Sequence, residues 1–109
     1  MTEYIIIITT TNSKSNAKLI VTSLVENKLA ACVQIIPKIK STFKWKSSIS
    51  EEKEILILIK TISTLADDIK RKIKKIHNYE TPEIISFPFN ILTNDYKEWF
   101  DLSVGEKLE

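Results

Sequence analysis

Glycine is almost absent from this chain: one residue, Gly105, stands near the C-terminal end. Glycine-rich phosphate cradles and the dinucleotide fingerprint need several glycines at fixed spacing, so both are excluded. Cysteine is as scarce. Cys32 has no partner for an internal disulfide, which fits a reducing compartment. Neither sign of charge is in excess, and a net charge of +2 argues against a dedicated nucleic-acid binder. No apolar run approaches the roughly 20 residues of a membrane span. The start, MTEYIIIITTT, has neither the basic beginning nor the small-residue cleavage site of a secretory signal, so a cytoplasmic protein without a membrane partner is expected. At 109 residues, the length suits one domain, 1–109, with a real core.

What is present alternates. Residues 3–10, EYIIIITT, are β-branched and apolar, which predicts a central strand covered on both faces. Asn12, Ser13 and Ser15 offer N-caps for an amphipathic helix over 14–28, whose Ala17, Ile20, Val21, Leu24 and Leu29 recur at helical spacing. ACVQII opens a second strand running through Pro37 to Trp45, with Ile39, Ser41, Phe43 and Trp45 on one face. SSISEE reads as a polar turn, and EILILIKT as the returning strand, so the pair forms a hairpin projecting beyond the domain. Thr64 and Asp67 have capping-box spacing before a helix striped by Leu65, Ile69, Ile73 and Ile76. The lysines on that helix read as a solvated face. EIISF is a last strand interrupted by Pro88, a residue suited to an edge or bend. A short helix from Thr93 or Asn94 carries Tyr96, Trp99 and Phe100. The order β-α-β-β-α-β plus a helix is the α+β, split-βαβ or ferredoxin-like arrangement, with both main helices on one face of a four-stranded antiparallel sheet.

RNA-recognition domains share that order, but they carry glycine and stacking aromatics in the third strand, and EILILIKT has neither. No nucleophile–base pair with an orienting group is identifiable, so no enzyme is expected. The only histidine, His77, opens the stretch HNYETPEIISFPF. After a helix it can cap free carbonyls, or it can serve as a ligand. Cys32, among small and apolar neighbours, reads either as a core thiol or as a soft ligand. Tyr79, Glu80 and Glu83 flank Pro82 in a stiff loop that suits either solvated carboxylates or binding. Phe43 and Trp45 lie too far along the hairpin for one small core, so an intersubunit contact is expected there.

LAACVQIIPKIKSTFKWK, then EILILIKT, HNYETPEIISFPF and YKEWF, resemble the CutA family of divalent-cation tolerance proteins across essentially the whole chain, in the same order and spacing. The resemblance implies a homotrimer of ferredoxin-like subunits, assembled like PII-type signalling proteins, with long hairpins pairing between subunits. It implies binding of copper or another divalent cation. By resemblance, Cys32, His77 and Glu80 are the metal candidates, and Lys60, Tyr79 and Glu83 line a ligand cleft. His77, Tyr79, Glu80 and Glu83 match the family's H-x-Y-E-x-P-E loop, while Trp45 and Lys60 match its hairpin tryptophan and the lysine of IKT. Two positions depart from the pattern. Asn78 stands where the family usually has proline, which implies a looser loop, and the 37–48 hairpin has no glycine for its turn. Three other classes stay open: an enzyme whose acid or base only His77, Lys60 or the loop glutamates could supply, a PII-like module sensing a small anion through Lys60, and a structural or anchoring protein with no metal site.

Overall fold

The β-branched run near the N-terminus forms β1 (Tyr4–Thr11), the strand on which the sheet is built. In this computed structural model, which describes residues 2–105, α1 (Lys14–Glu26), β2 (Cys32–Trp45), β3 (Ser48–Ile62), α2 (Ala66–Ile76), β4 (Ile85–Phe89) and α3 (Asn94–Ser103) follow in order. The ends of the expected 1–109 domain lie outside the described residues. The sheet order is β2-β3-β1-β4 with every neighbour antiparallel, which is the expected ferredoxin-like order.

Strand alternation divides the sheet into two unlike faces. Ile5, Ile7, Ile57 and Ile59 turn to one side and pack under Ile20 and Leu24 of α1 and Ile69 and Ile73 of α2. Those eight side chains are buried and form the main core. On the other side Ile6, Ile8, Leu56 and Leu58 are half-buried, and Ile36, Ile85 and Phe87 are exposed. The expectation that β1 is covered on both faces is therefore corrected. Its unbroken apolar run encodes one helix-covered face and one open apolar face. Among the described residues α3 closes the Tyr4 end of the open face: Phe100 packs edge-on against Tyr4 at 5.3 Å, and the Tyr4 hydroxyl donates to Asp101 at 2.8 Å.

β3 has 15 residues and β1 only 8, and pairing between them ends at Thr11 opposite Ile55. Ser48–Glu54 and the facing half of β2 therefore continue as a two-stranded ribbon. A bulge between Ile36 and Ile39 controls which way that ribbon faces. Ile36 opposes Leu56 and Ile39 opposes Glu54, so β2 spends one residue more than β3, and Lys38 takes the left-handed conformation (φ 61°) that such a bulge requires. The slip would otherwise reverse every later side chain. With it, Ile39, Ser41, Phe43 and Trp45 share a face as expected, and that face continues the open face of the sheet.

Three local expectations are corrected. SSISEE is not a turn: β3 begins at Ser48, and Lys46–Ser47 alone reverse the chain, both left-handed (φ 49° and 71°) as a two-residue hairpin of type I′ demands. The capping box at Thr64 does not form. A 3₁₀ turn, Ser63–Leu65, leads into α2, whose N-cap Leu65 has no side-chain bond, and Asp67 and Asp68 instead complement the helix dipole and pair with Lys70 and Arg71. Pro88 does not interrupt the last strand. It sits inside β4 opposite Ile5, tolerated because β4 is an edge.

Because two side chains at the hairpin tip occupy backbone space better suited to Asn and Gly, replacing Lys46–Ser47 with Asn–Gly should stabilise the ribbon by about 1 kcal/mol. Slower hydrogen exchange of the β2 and β3 amides near the tip is the expected result; unchanged exchange would mean that the turn carries no strain.

Candidate functional site

Where β1 stops, the flank of β3 lies open, and the segment that follows α2 fills it. His77 is the C-cap of α2: its N–H closes on the Ile73 carbonyl at 2.8 Å while its own backbone is extended (φ −66°, ψ 144°). The imidazole does not cap helix carbonyls. Nε2 lies 2.8 Å from the Thr10 carbonyl, and Nδ1 accepts the Tyr79 N–H at 2.9 Å. That pairing assigns the proton to Nε2. Asn16 of α1 reinforces the corner, its side-chain amide donating to the Ile76 carbonyl at 2.8 Å.

Tyr79 stacks obliquely on His77, with ring centroids 4.9 Å apart, and its hydroxyl donates to Glu54 Oε2 at 2.6 Å. Ser41 of β2 donates to the other oxygen, Glu54 Oε1, at 2.6 Å. Glu54 is only 8% exposed, so these two hydroxyls replace the water its carboxylate has lost. Burial, and then the Glu54 carboxylate as acceptor, hold the Tyr79 phenol well above its usual pKa. Tyr79 is thus a fixed donor. Burial also lowers the pKa of His77, opposed by the Thr10 carbonyl and by the Glu54 charge. Asn78 does not loosen the loop. The Thr11 hydroxyl donates to its Oδ1 at 2.6 Å, and its Nδ2 donates to Asn12 Oδ1 at 2.8 Å, so hydrogen bonds hold the position.

The other candidates lie elsewhere. Cys32 is a free, partly exposed thiol directly across from Lys60, which in turn opposes Ile6. The two side chains share the open face at the spacing of a cross-strand pair. Lys60 and Glu54 are six residues apart on β3, roughly 20 Å at the rise of an extended strand. Cys32 and His77 therefore do not meet within one subunit. Glu80 and Glu83 are exposed on the loop. Among the described residues no group of three or more His, Cys, Asp or Glu side chains is placed to hold a metal ion. One chain thus presents two separate clusters, Cys32–Lys60 and His77–Tyr79–Glu54, towards opposite ends of the sheet. Glu54 and Ser41 were not singled out in the sequence. Their one signal is a carboxylate and a hydroxyl on the same alternation face as apolar residues.

Removing the Tyr79 hydroxyl should leave a buried carboxylate oxygen unpaired, so Tyr79→Phe should cost about 1–3 kcal/mol in urea unfolding; no loss would mean that Glu54 finds another donor. His77 adds a pH dependence. Its folded pKa lies below the ordinary 6.5, so the unfolded chain binds the proton more readily. Stability should be complete above about pH 6.5 and decline as pH falls through and below that value, a slope that His77→Gln should flatten.

Comparison with known proteins agrees with this architecture. The family model described as CutA1 divalent ion tolerance protein matches residues 5–103. The divalent-cation tolerance protein CutA of Thermus thermophilus is 33% identical over 100 residues, covering 92% of this chain and 97% of that one. A CutA homolog from Xenopus laevis is 41% identical over 83 residues, 76% of this chain but 55% of the longer frog protein. The crystal structure of CutA1 from Oryza sativa superposes with a TM-score of 0.91 at 33% identity, covering 96% of each chain. That of the divalent ion tolerance protein CutA1 from Ehrlichia chaffeensis gives 0.89 at 31% identity, covering 97% of this chain and 99% of that one. With its full strand order, its His-x-Tyr-Glu loop and a match over nearly all of its length, this chain belongs to the CutA1 divalent ion tolerance family.

Proposed function

We propose that the protein is a cytoplasmic homotrimer that binds copper or another divalent cation between its subunits, as part of a response to metal ions, and that it is a binding protein and not an enzyme. The observation that carries this reading is the open apolar face. Ile36, Ile85 and Phe87 lie exposed beside half-buried Ile6, Ile8, Leu56 and Leu58, and the same face continues along the ribbon to Phe43 and Trp45. An exposed apolar sheet patch and two ribbon aromatics on one face, with Glu54 and Ser41 between them, suit a subunit contact. The names of the relatives, which speak of divalent cations, supply the ligand class.

The metal is assigned to Cys32, His77 and Glu80, with Lys60, Tyr79 and Glu83 lining the cleft beside it. One subunit keeps Cys32 and His77 too far apart, so the site needs the Cys32 end of one chain to meet the His77 loop of the next. A thiolate and an imidazole are ligands that copper favours. Binding through His77 would exchange one of its two ring hydrogen bonds for the metal. The internal bonding of His77, Tyr79 and Glu54 gives the loop a positioning role, which supports a binding site over a proton-transfer site.

Sedimentation in the presence of chelator should give about three chain masses, because the contact is apolar and not metal-bridged; a monomer would end the proposal. In calorimetric titration with Cu(II), Cys32→Ser and His77→Ala should each weaken binding and leave the trimer intact. Affinity should fall with pH as thiol and imidazole take up protons. Unchanged binding in both variants removes these residues from the site. If a small anion binds in place of metal and Lys60→Ala abolishes it, the PII-like reading is the better one.

Trp45 is 60% exposed in the single chain. If a neighbour buries it, Trp45→Ala should cost roughly 3–5 kcal/mol, seen as easier dissociation on dilution. A tryptophan left in water should change stability by no more than about 0.5 kcal/mol.

A further inference from the structure

On the helix-covered side of the sheet, away from the open face, α1 does not close completely over the β2 edge. A cavity of about 380 Å³ remains there, floored by Ala17 and Val21 of α1 and by Ile35, Pro37 and Ile55 of the sheet. Its size lies within the usual range of small-molecule sites, roughly 300–1,000 Å³. The bulge between Ile36 and Ile39 falls at this cavity, which Pro37 and Lys38 line beside the start of α1, and Ile35 is left substantially exposed. The charged residues that line it are all of one sign. Lys14 and Lys18 rise from the first turns of α1, and Lys38 faces them from the bulge. Among the described residues no acidic side chain lines the cavity and none of these three lysines is paired with a carboxylate. Lys14 and Lys38 also line a second hollow, together with Lys40, Lys53 and the carboxylate-bearing Glu54. Lys14 and Lys38 therefore stand between the apolar cavity and a hollow of mixed charge.

We propose that this cavity binds a small amphiphilic carboxylate, its alkyl or aryl tail against Val21, Ile35 and Pro37 and its carboxylate on the ridge of Lys14, Lys18 and Lys38. An apolar floor under three unpaired ammonium groups selects for a ligand that is apolar at one end and anionic at the other. A neutral analogue loses the head-group contact, and a cationic one is repelled. Because the charges are exposed, binding should weaken as salt rises. The site is distinct from the Cys32 and His77 clusters, and it does not depend on metal binding.

Calorimetric titration of the full-length protein with octanoate, octanol and octylammonium tests the assignment. Octanoate should bind saturably at one per chain, octanol about tenfold more weakly, and octylammonium not measurably. Lys18→Glu, an exposed change, should weaken octanoate binding about tenfold or more while the thermal melt stays put. Val21→Trp, which fills the cavity, should abolish it. Absence of saturable octanoate binding to the wild-type assembly would overturn the proposal and point to a cavity filled by a second copy of the chain. Equal binding of octanoate and octanol, or full binding by Lys18→Glu, would overturn the role given to the lysines.

Discussion

The mismatch in length between β1 and β3 governs this molecule. An eight-residue strand can back only half of a fifteen-residue neighbour. The sheet therefore divides into a helix-backed body and an unsupported two-stranded ribbon, and the join falls at Thr11 and Ile55. A polar group on β3 just past that join has β2 on one side and no strand on the other. The segment leaving α2 takes the vacant flank, and this brings His77 to the Thr10 carbonyl and Tyr79 to Glu54. The ribbon also carries Phe43 and Trp45 beyond the reach of the core, where 14-residue β2 has only β3 for company.

The chemistry at the join follows from burial. A carboxylate as enclosed as Glu54 is costly unless each oxygen has a donor, and Ser41 and Tyr79 supply one each. The same enclosure keeps the Tyr79 phenol protonated and disfavours a second proton on His77. These directions agree with one another: neutral imidazole, protonated phenol and paired carboxylate form one self-consistent arrangement. The Cys32–Lys60 pair lies on the same open face near the other end of the sheet, beside apolar side chains and without such a network. A single chain thus carries one tightly bonded cluster and one open cluster, with an apolar surface between them.

The bulge at Pro37–Lys38 has two effects. By inserting one residue it returns the outer half of β2 to the open face, so that Cys32, Gln34 and Ile36 share a side with Ile39, Phe43 and Trp45. Its Pro37 and Lys38 also line the apolar cavity beside α1 on the other face. One local irregularity thereby shapes both faces of the sheet.

Most of the architecture was legible in the amino-acid order, because it rests on local signals. Period-2 and period-3.6 patterns gave the strands and helices of the β-α-β-β-α-β order, Ser13 gave the start of α1, whose Asn16 N–H it accepts, and Pro88 marked an edge strand. Signals with an equally local alternative were misread. SSISEE is as polar as a turn, but cross-strand pairing to β2 makes most of it strand, and the Thr64–Asp67 spacing yields to a 3₁₀ turn. The candidate residues His77, Tyr79, Cys32 and Lys60 could be named from the loop and strand motifs, yet their grouping could not. Hydrogen bonds such as Tyr79–Glu54 and Thr11–Asn78 join residues 25 and 67 positions apart, and they exist only because the loop after α2 folds back to where β1 ends beside β3. The sequence by itself determined the elements, their order and the residue types on each face. Only the tertiary structure decided that Cys32 and His77 belong to separate clusters and that Glu54 is the centre of one, because distance across a sheet depends on where each strand ends.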